Sequence, residues 1–157
     1  MIGHYSIYTD GACSGNPGDG GIAYIIVNDE NVIIEEFSRY FPDTTNNRME
    51  LLAVIFAIKS LSDKAYNLTI YSDSTYVVNA INKGWLEVWE KNGFLKRKNA
   101  DLWKIFIDIS KNRNIKFVWV KGHADNFYNK KFDLLAKEAI KSHKLYENFT
   151  NLVLKKW

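Results

Sequence analysis

The chain has 157 residues, 46 % hydrophobic and 15 % aromatic, a composition that supports a buried core and excludes a disordered tether. A formal net charge of +3 permits a polyanionic partner without demanding one. The single cysteine, Cys13, excludes an intramolecular disulfide framework, and no apolar run approaches membrane-spanning length.

The first element, His4 to Thr9, alternates Tyr5, Ile7 and Thr9 against Ser6 and Tyr8, and predicts a strand that delivers Asp10 at its end. Gly11 to Gly21 is dense in turn formers and reads as a loop, followed by a strand at Ile22 to Val27. A turn at Asn28 to Asn31 leads to a third strand, Val32 to Tyr40, so the opening is an antiparallel meander. Leu51, Leu52, Val54, Ile55, Ile58 and Leu61 then recur at helical spacing, with capping candidates at Thr45 to Asn47. That start puts Glu50 in the first turn, where the helix dipole favours a carboxylate.

Leu68 to Tyr71 predicts a fourth strand with Asp73 just after it. Short helices follow at Ser74 to Asn82 and at Trp85 to Glu90, then a basic loop from Gly93 to Ala100. Asp101 to Ser110 reads as a helix and Ile115 to Val120 as the fifth strand. A last helix carries Phe132, Leu135, Ala136 and Ala139 on one face, with Asp133 near its start. Ser142 to Trp157 is a tail whose apolar spacing suits a helix packed on the domain, a partner-binding tail being the alternative. Strands first, then strands alternating with helices, imply an α/β mixed sheet flanked by helices.

The chemistry lies in four scattered acids, Asp10, Glu50, Asp73 and Asp133. Each alone reads as well as a turn residue, a cap or a solvated helix residue. Short connections make the elements that carry them neighbours, and four carboxylates in one pocket repel unless cations neutralise them. The joint pattern therefore points to a divalent-metal site. The glycine-rich loop is not a nucleotide cradle, because it lacks the Gly-Lys-Ser/Thr ending and leads into a strand rather than a helix. Its small polar residues Cys13, Ser14 and Asn16 suit close approach to a sugar-phosphate backbone. His123, beside such a pocket, becomes a proton-transfer candidate. Trp85 and Trp89, one helical turn apart and followed by Lys96-Arg97-Lys98, suit a nucleic-acid backbone, although Glu87 and Glu90 dilute the charge.

With those residues in place, the chain resembles type 1 ribonuclease H over about Tyr5 to Ala139. The resemblance is carried by Thr9-Asp-Gly-Ala-Cys-Ser-Gly-Asn-Pro-Gly18, Thr45-Asn-Asn-Arg-Met-Glu-Leu51, Ser72-Asp-Ser74, Trp119-Val-Lys-Gly-His-Ala124, and Asp133 with Leu135-Ala136. It implies the ribonuclease H-like fold: a five-stranded mixed sheet, three strands antiparallel and then two parallel, flanked by helices. Residues 1–141 would form the catalytic domain and residues 142–157 the tail. It further implies endonucleolytic hydrolysis of the RNA strand of RNA/DNA hybrids, leaving 5′-phosphate and 3′-hydroxyl ends. Two Mg2+ ions, replaceable by Mn2+, would be held by Asp10, Glu50, Asp73 and Asp133, with Asp10 bridging both. His123 matches a mobile histidine supported by Asn129, and Cys13, Asn16, Asn46 and Asn47 match contacts to the RNA strand. Thr45 and Asn99 match a grip on a DNA-strand phosphate, and Trp85 and Trp89 a channel beside the DNA strand.

The segment from Phe94 to Asp101 is shorter than in the longest-handled bacterial members, which implies weaker, more salt-sensitive hybrid binding. Thr75 and the loop Asp125-Asn-Phe-Tyr128 also depart from the family pattern. No protein partner or membrane is implied, and a cytoplasmic monomer is expected. Two other readings stay open: a binding module on this fold without catalysis, and a nuclease of the same superfamily acting on a different nucleic-acid structure.

Overall fold

The computed structural model describes residues 3–62 and 67–121. In chain order these form β1 (His4–Cys13), β2 (Gly18–Val27), β3 (Ile33–Thr44), α1 (Asn46–Ser60), β4 (Asn67–Ser72), α2 (Thr75–Asn82), α3 (Trp85–Lys91), α4 (Ala100–Ser110) and β5 (Asn114–Trp119). The strands make one sheet in the order β3-β2-β1-β4-β5. The β1–β2 and β2–β3 pairs are antiparallel, whereas β4 pairs in parallel with β1 and with β5. This is the expected mixed sheet. The expected last helix and the tail lie outside the described residues.

One core dominates. Ile7, Tyr24, Ile26, Leu68, Ile70 and Phe117 from the sheet close against Leu51, Val54, Ile58, Val77, Leu102 and Trp103 from the helices. Trp103 is fully buried and donates its indole N–H to the Tyr76 hydroxyl at 2.8 Å, so the large ring brings no unpaired polar group inside. Helix α1 packs on β1 and β2 and also against α4, which explains why its buried residues run almost unbroken from Met49 to Ile58. It is a central helix rather than an amphipathic surface one. Its start is set by Thr45, whose side chain accepts the Arg48 N–H, and Ser74 caps α2 in the same way through Val77. Each such cap contributes about 1 kcal/mol.

Four local expectations need correction. Strand β1 does not stop at Thr9: Asp10 to Cys13 continue it, paired with Ala23 to Gly20 of β2. Asp10 therefore lies inside the strand. The turn-rich composition of this stretch suggested a loop, yet glycine is what lets the ladder pass so close to α1. Helix α1 begins at Asn46, so Glu50 lies beyond its first turn and gains little from the dipole there. Asp73 does not cap α2, since Ser74 does. Strand β3 also runs on to Thr44 and tolerates Pro42 because it is an edge strand.

The close approach of α1 to β1 sits at Gly11, where a Cβ would run into the main chain of Met49 and Glu50. Neither neighbour is a flexible side-chain end, so the helix would have to shift. Gly11→Ala is expected to lower the free energy of unfolding by about 2 kcal/mol or more. The check is urea unfolding, and an unchanged midpoint would contradict this packing.

Candidate active site

Three of the four acids come together. Asp10 projects from β1, Glu50 from α1, and Asp73 from the bend between β4 and the Ser74 cap of α2. One carboxylate oxygen from each lies within 4.8 Å of the others. Glu50 is the deepest at 7 % exposure, Asp10 is 9 % exposed, and Asp73 is the most open. Asp133, His123 and Asn129 lie outside the described residues.

The Glu50 carboxylate is fixed from two sides. Its Oε1 accepts the Gly11 N–H at 2.6 Å, and its Oε2 lies 3.4 Å from the fully buried Ser72 hydroxyl. Ser72 Oγ in turn accepts the Ser74 N–H at 3.1 Å, which links Glu50 to the start of α2. Burial pushes the Glu50 carboxyl well above the usual carboxylate range. The charge of Asp10, a side-chain hydrogen bond with Asp10 and the charge of Asp73 push the same way, opposed by the Gly11 N–H. Without a cation the cluster must retain a proton or repel itself. An all-carboxylate, oxygen-only donor set suits hard divalent cations such as Mg2+ and Mn2+, so the residues present fit such an ion.

Around this cluster the polar residues are also tied together. The Asn46 N–H donates to Asn16 Oδ1 at 2.9 Å, joining the exposed turn after β1 to the first residue of α1. That bond uses the Asn16 carbonyl and leaves its amide N–H groups as donors for a ligand. Asn47 lies exposed on the same first turn. The Cys13 thiol is directed at main chain, with Gly15 O at 2.6 Å and Thr44 O at 3.2 Å. Thr45 Oγ1 accepts the Arg48 N–H, so its own proton remains available to donate.

Asn99 adopts a left-handed conformation just before α4, with φ 63°. Its amide donates to the Tyr76 hydroxyl at 3.3 Å, and its carbonyl accepts from Arg48 Nη1 at 3.4 Å. Arg48 is itself paired with both carboxylate oxygens of Asp101, at 2.6 and 3.1 Å. The paired carboxylate raises the Arg48 pKa, and Asp101 is lowered by the same partner. Thus Thr45 and Asn99 are joined through Arg48.

On α3, Trp85 and Trp89 face each other with ring centroids 6.4 Å apart. Trp85 is 40 % exposed with Lys83 Nζ 5.4 Å from its ring centre. Trp89 packs edge-on against Trp103 and carries the Arg97 guanidinium over its ring, 4.9 Å from the ring centre. One tryptophan is therefore a surface platform, and the other shares that role with the core. The sequence motifs contain Gly11, Ser72, Arg48 and Trp119, but sequence reasoning gave none of them a role, and it read Asp101 only as the start of a helix. The first two act through a main-chain donor and a small hydroxyl, which carry no compositional signal.

The raised Glu50 carboxyl has a signed consequence. Between the ordinary carboxylate value and the raised one, the folded metal-free protein binds more protons than the unfolded chain. Stability must therefore fall as pH rises through that window. Thermal unfolding in chelator across that range should show the decline, and Glu50→Gln should flatten it. A wild-type protein that grows more stable over the same window would contradict the burial of this charge.

A family model described as RNase H matches residues 3–141. The ribonuclease H of Caldanaerobacter subterraneus subsp. tengcongensis is 49 % identical over 142 residues, covering 87 % of this chain and 91 % of its own. The crystal structure of LC9-RNase H1, a type 1 RNase H with the type 2 active-site motif, matches with a TM-score of 0.78 at 26 % identity. That match covers 90 % of this chain and 74 % of the other. LC11-RNase H1 in complex with an RNA/DNA hybrid matches with a TM-score of 0.64 at 29 % identity, over 88 % and 97 % of the two chains. With these matches spanning the sheet and the three clustered acids, the chain belongs to the ribonuclease H family.

Proposed function

We propose that the chain is an endonuclease that hydrolyses the RNA strand of RNA/DNA hybrids and leaves 5′-phosphate and 3′-hydroxyl ends. The observation that carries this reading is the convergence of Asp10, Glu50 and Asp73 in a member of this family. The hybrid bound by LC11-RNase H1 supports the choice of substrate. Asp10, Glu50, Asp73 and Asp133 would hold two Mg2+ ions, and Mn2+ would substitute. When bound there, such cations supply activation of water and neutralisation of the charge that builds on the phosphate.

The chain's own residues provide the rest. Gly11 N–H and Ser72 hold both oxygens of Glu50, so that carboxylate is oriented before any ligand arrives. Asn16, Asn46, Asn47 and Cys13 would meet the RNA strand, where contact with a 2′-hydroxyl distinguishes RNA from DNA. Thr45 and Asn99 would grip a phosphate of the DNA strand, and Trp85 and Trp89 would lie beside it. His123, with Asn129 in support, would move a proton during turnover. No helix among the described residues is long and apolar enough to cross a membrane, and the single cysteine accords with a reducing, cytoplasmic setting, in which the chain would act as a monomer. Residues 142–157 would be a tail packed on the catalytic domain as a helix.

The test is cleavage of a strand-labelled hybrid with Mg2+, beside duplex DNA and duplex RNA. Wild type should cut only the RNA of the hybrid, and Asp10→Asn should be slower on the order of a hundredfold or more. Equal cutting of all three duplexes would sink the substrate assignment. An Asp10→Asn rate equal to wild type would sink the metal site.

A further inference from the structure

Among the three described acids, Asp73 has the weakest support from regular structure, since it occupies the bend between the last residue of β4 and the cap of α2. It is also the most open of three carboxylates that repel one another. A restraint on its main chain therefore matters more than one on Asp10 or Glu50, which are carried by a strand and a helix. The structure supplies one from an unexpected direction. Trp119, the last residue of β5, donates its indole N–H to the Asp73 carbonyl at 3.1 Å.

The geometry is set by the sheet. Parallel pairing of β4 with β5 places Trp119 beside Ser72, and the Val120 N–H extends that pairing by donating to the Ser72 carbonyl at 2.9 Å. From this register the indole reaches one residue on, to the peptide of Asp73. The other side of the same bend is held by Ser72 Oγ on the Ser74 N–H. Trp119 is 50 % exposed and belongs to none of the core clusters of the described residues. Its ring is half buried outside those clusters, and its N–H is the polar contact it makes at this point.

We propose that Trp119 is a positioning residue for the cation site: its indole N–H holds the Asp73 peptide so that the Asp73 carboxylate stays against Asp10 and Glu50. This rests on the reading of Asp73 as a metal ligand. Without that bond, repulsion turns Asp73 toward solvent, and a cation must pull it back at a cost to its own affinity. Substrate binding through the asparagines and Trp85 is unaffected by this change.

The test is Trp119→Phe, which keeps an aromatic ring and removes the donor. A second variant carries benzothienylalanine at position 119, which keeps the shape of indole and replaces only the N–H by sulfur. Mg2+ binding to the free protein is measured by isothermal titration calorimetry, with kcat and KM on a hybrid and the metal-free thermal midpoint alongside. Both variants should bind Mg2+ about three- to tenfold more weakly, as expected for the loss of one net hydrogen bond. Their thermal midpoint and their KM for hybrid should match wild type, and raising Mg2+ should restore kcat. Unchanged Mg2+ affinity in both variants overturns this inference alone. So does a raised KM with Mg2+ affinity intact, which would make the ring a substrate contact. Failure of wild type itself to bind Mg2+ overturns the metal-site reading and this inference with it.

Discussion

The passage of helix α1 across strand β1 at Gly11 is the constraint on which the site depends. Absence of a side chain there brings the main chain of Met49 and Glu50 against the strand. The same contact lets the Gly11 N–H reach Glu50 Oε1 at 2.6 Å. Residue Asp10, next in the strand, is then within reach of Glu50, and parallel pairing of β1 with β4 brings the end of β4 and Asp73 alongside. One glycine thus serves both packing and chemistry. The protein holds like charges together with Asp10 and Glu50 largely buried, an arrangement costly in the metal-free state and favourable once a cation is present.

That cost explains the hydrogen bonds around the acids. Ser72 is fully buried and bridges the Glu50 carboxylate and the amide of Ser74, so a polar group placed in the core is satisfied by the two elements it must align. The nearby polar face follows the same pattern. Asn16 and Asn46, then Thr45, Arg48, Asn99 and Tyr76, form chains of donors and acceptors that run between elements distant in sequence. Such chains preorganise groups that would meet a backbone, and preorganisation lowers the entropy lost on binding.

Much of this was legible in the sequence. Periodicity located α1 and α4, and the capping role of Thr45 was visible from its place before Asn46-Asn47. The strand-rich start gave the antiparallel half of the sheet, and the acids at Asp10, Glu50 and Asp73 could be grouped because short connections make their elements neighbours. What was missed has physical causes. Gly11 to Cys13, at the start of the glycine-rich stretch, read as a loop because local propensity does not see the close packing that keeps those residues in β1. Glu50 was placed one turn too early because side-chain spacing marks the buried face and not the helix start. The Arg48–Asp101 pair and the Trp119–Asp73 bond join residues far apart in sequence, and only the tertiary structure brings them together.

The central claim is that Asp10, Glu50 and Asp73 are brought together to hold divalent cations. Anomalous scattering from crystals of the protein grown with saturating Mn2+ tests it most directly. The account predicts a Mn2+ peak at coordination distance from the carboxylates of all three residues. Crystals that show no peak there, or only peaks on surface acids away from Glu50, would contradict it.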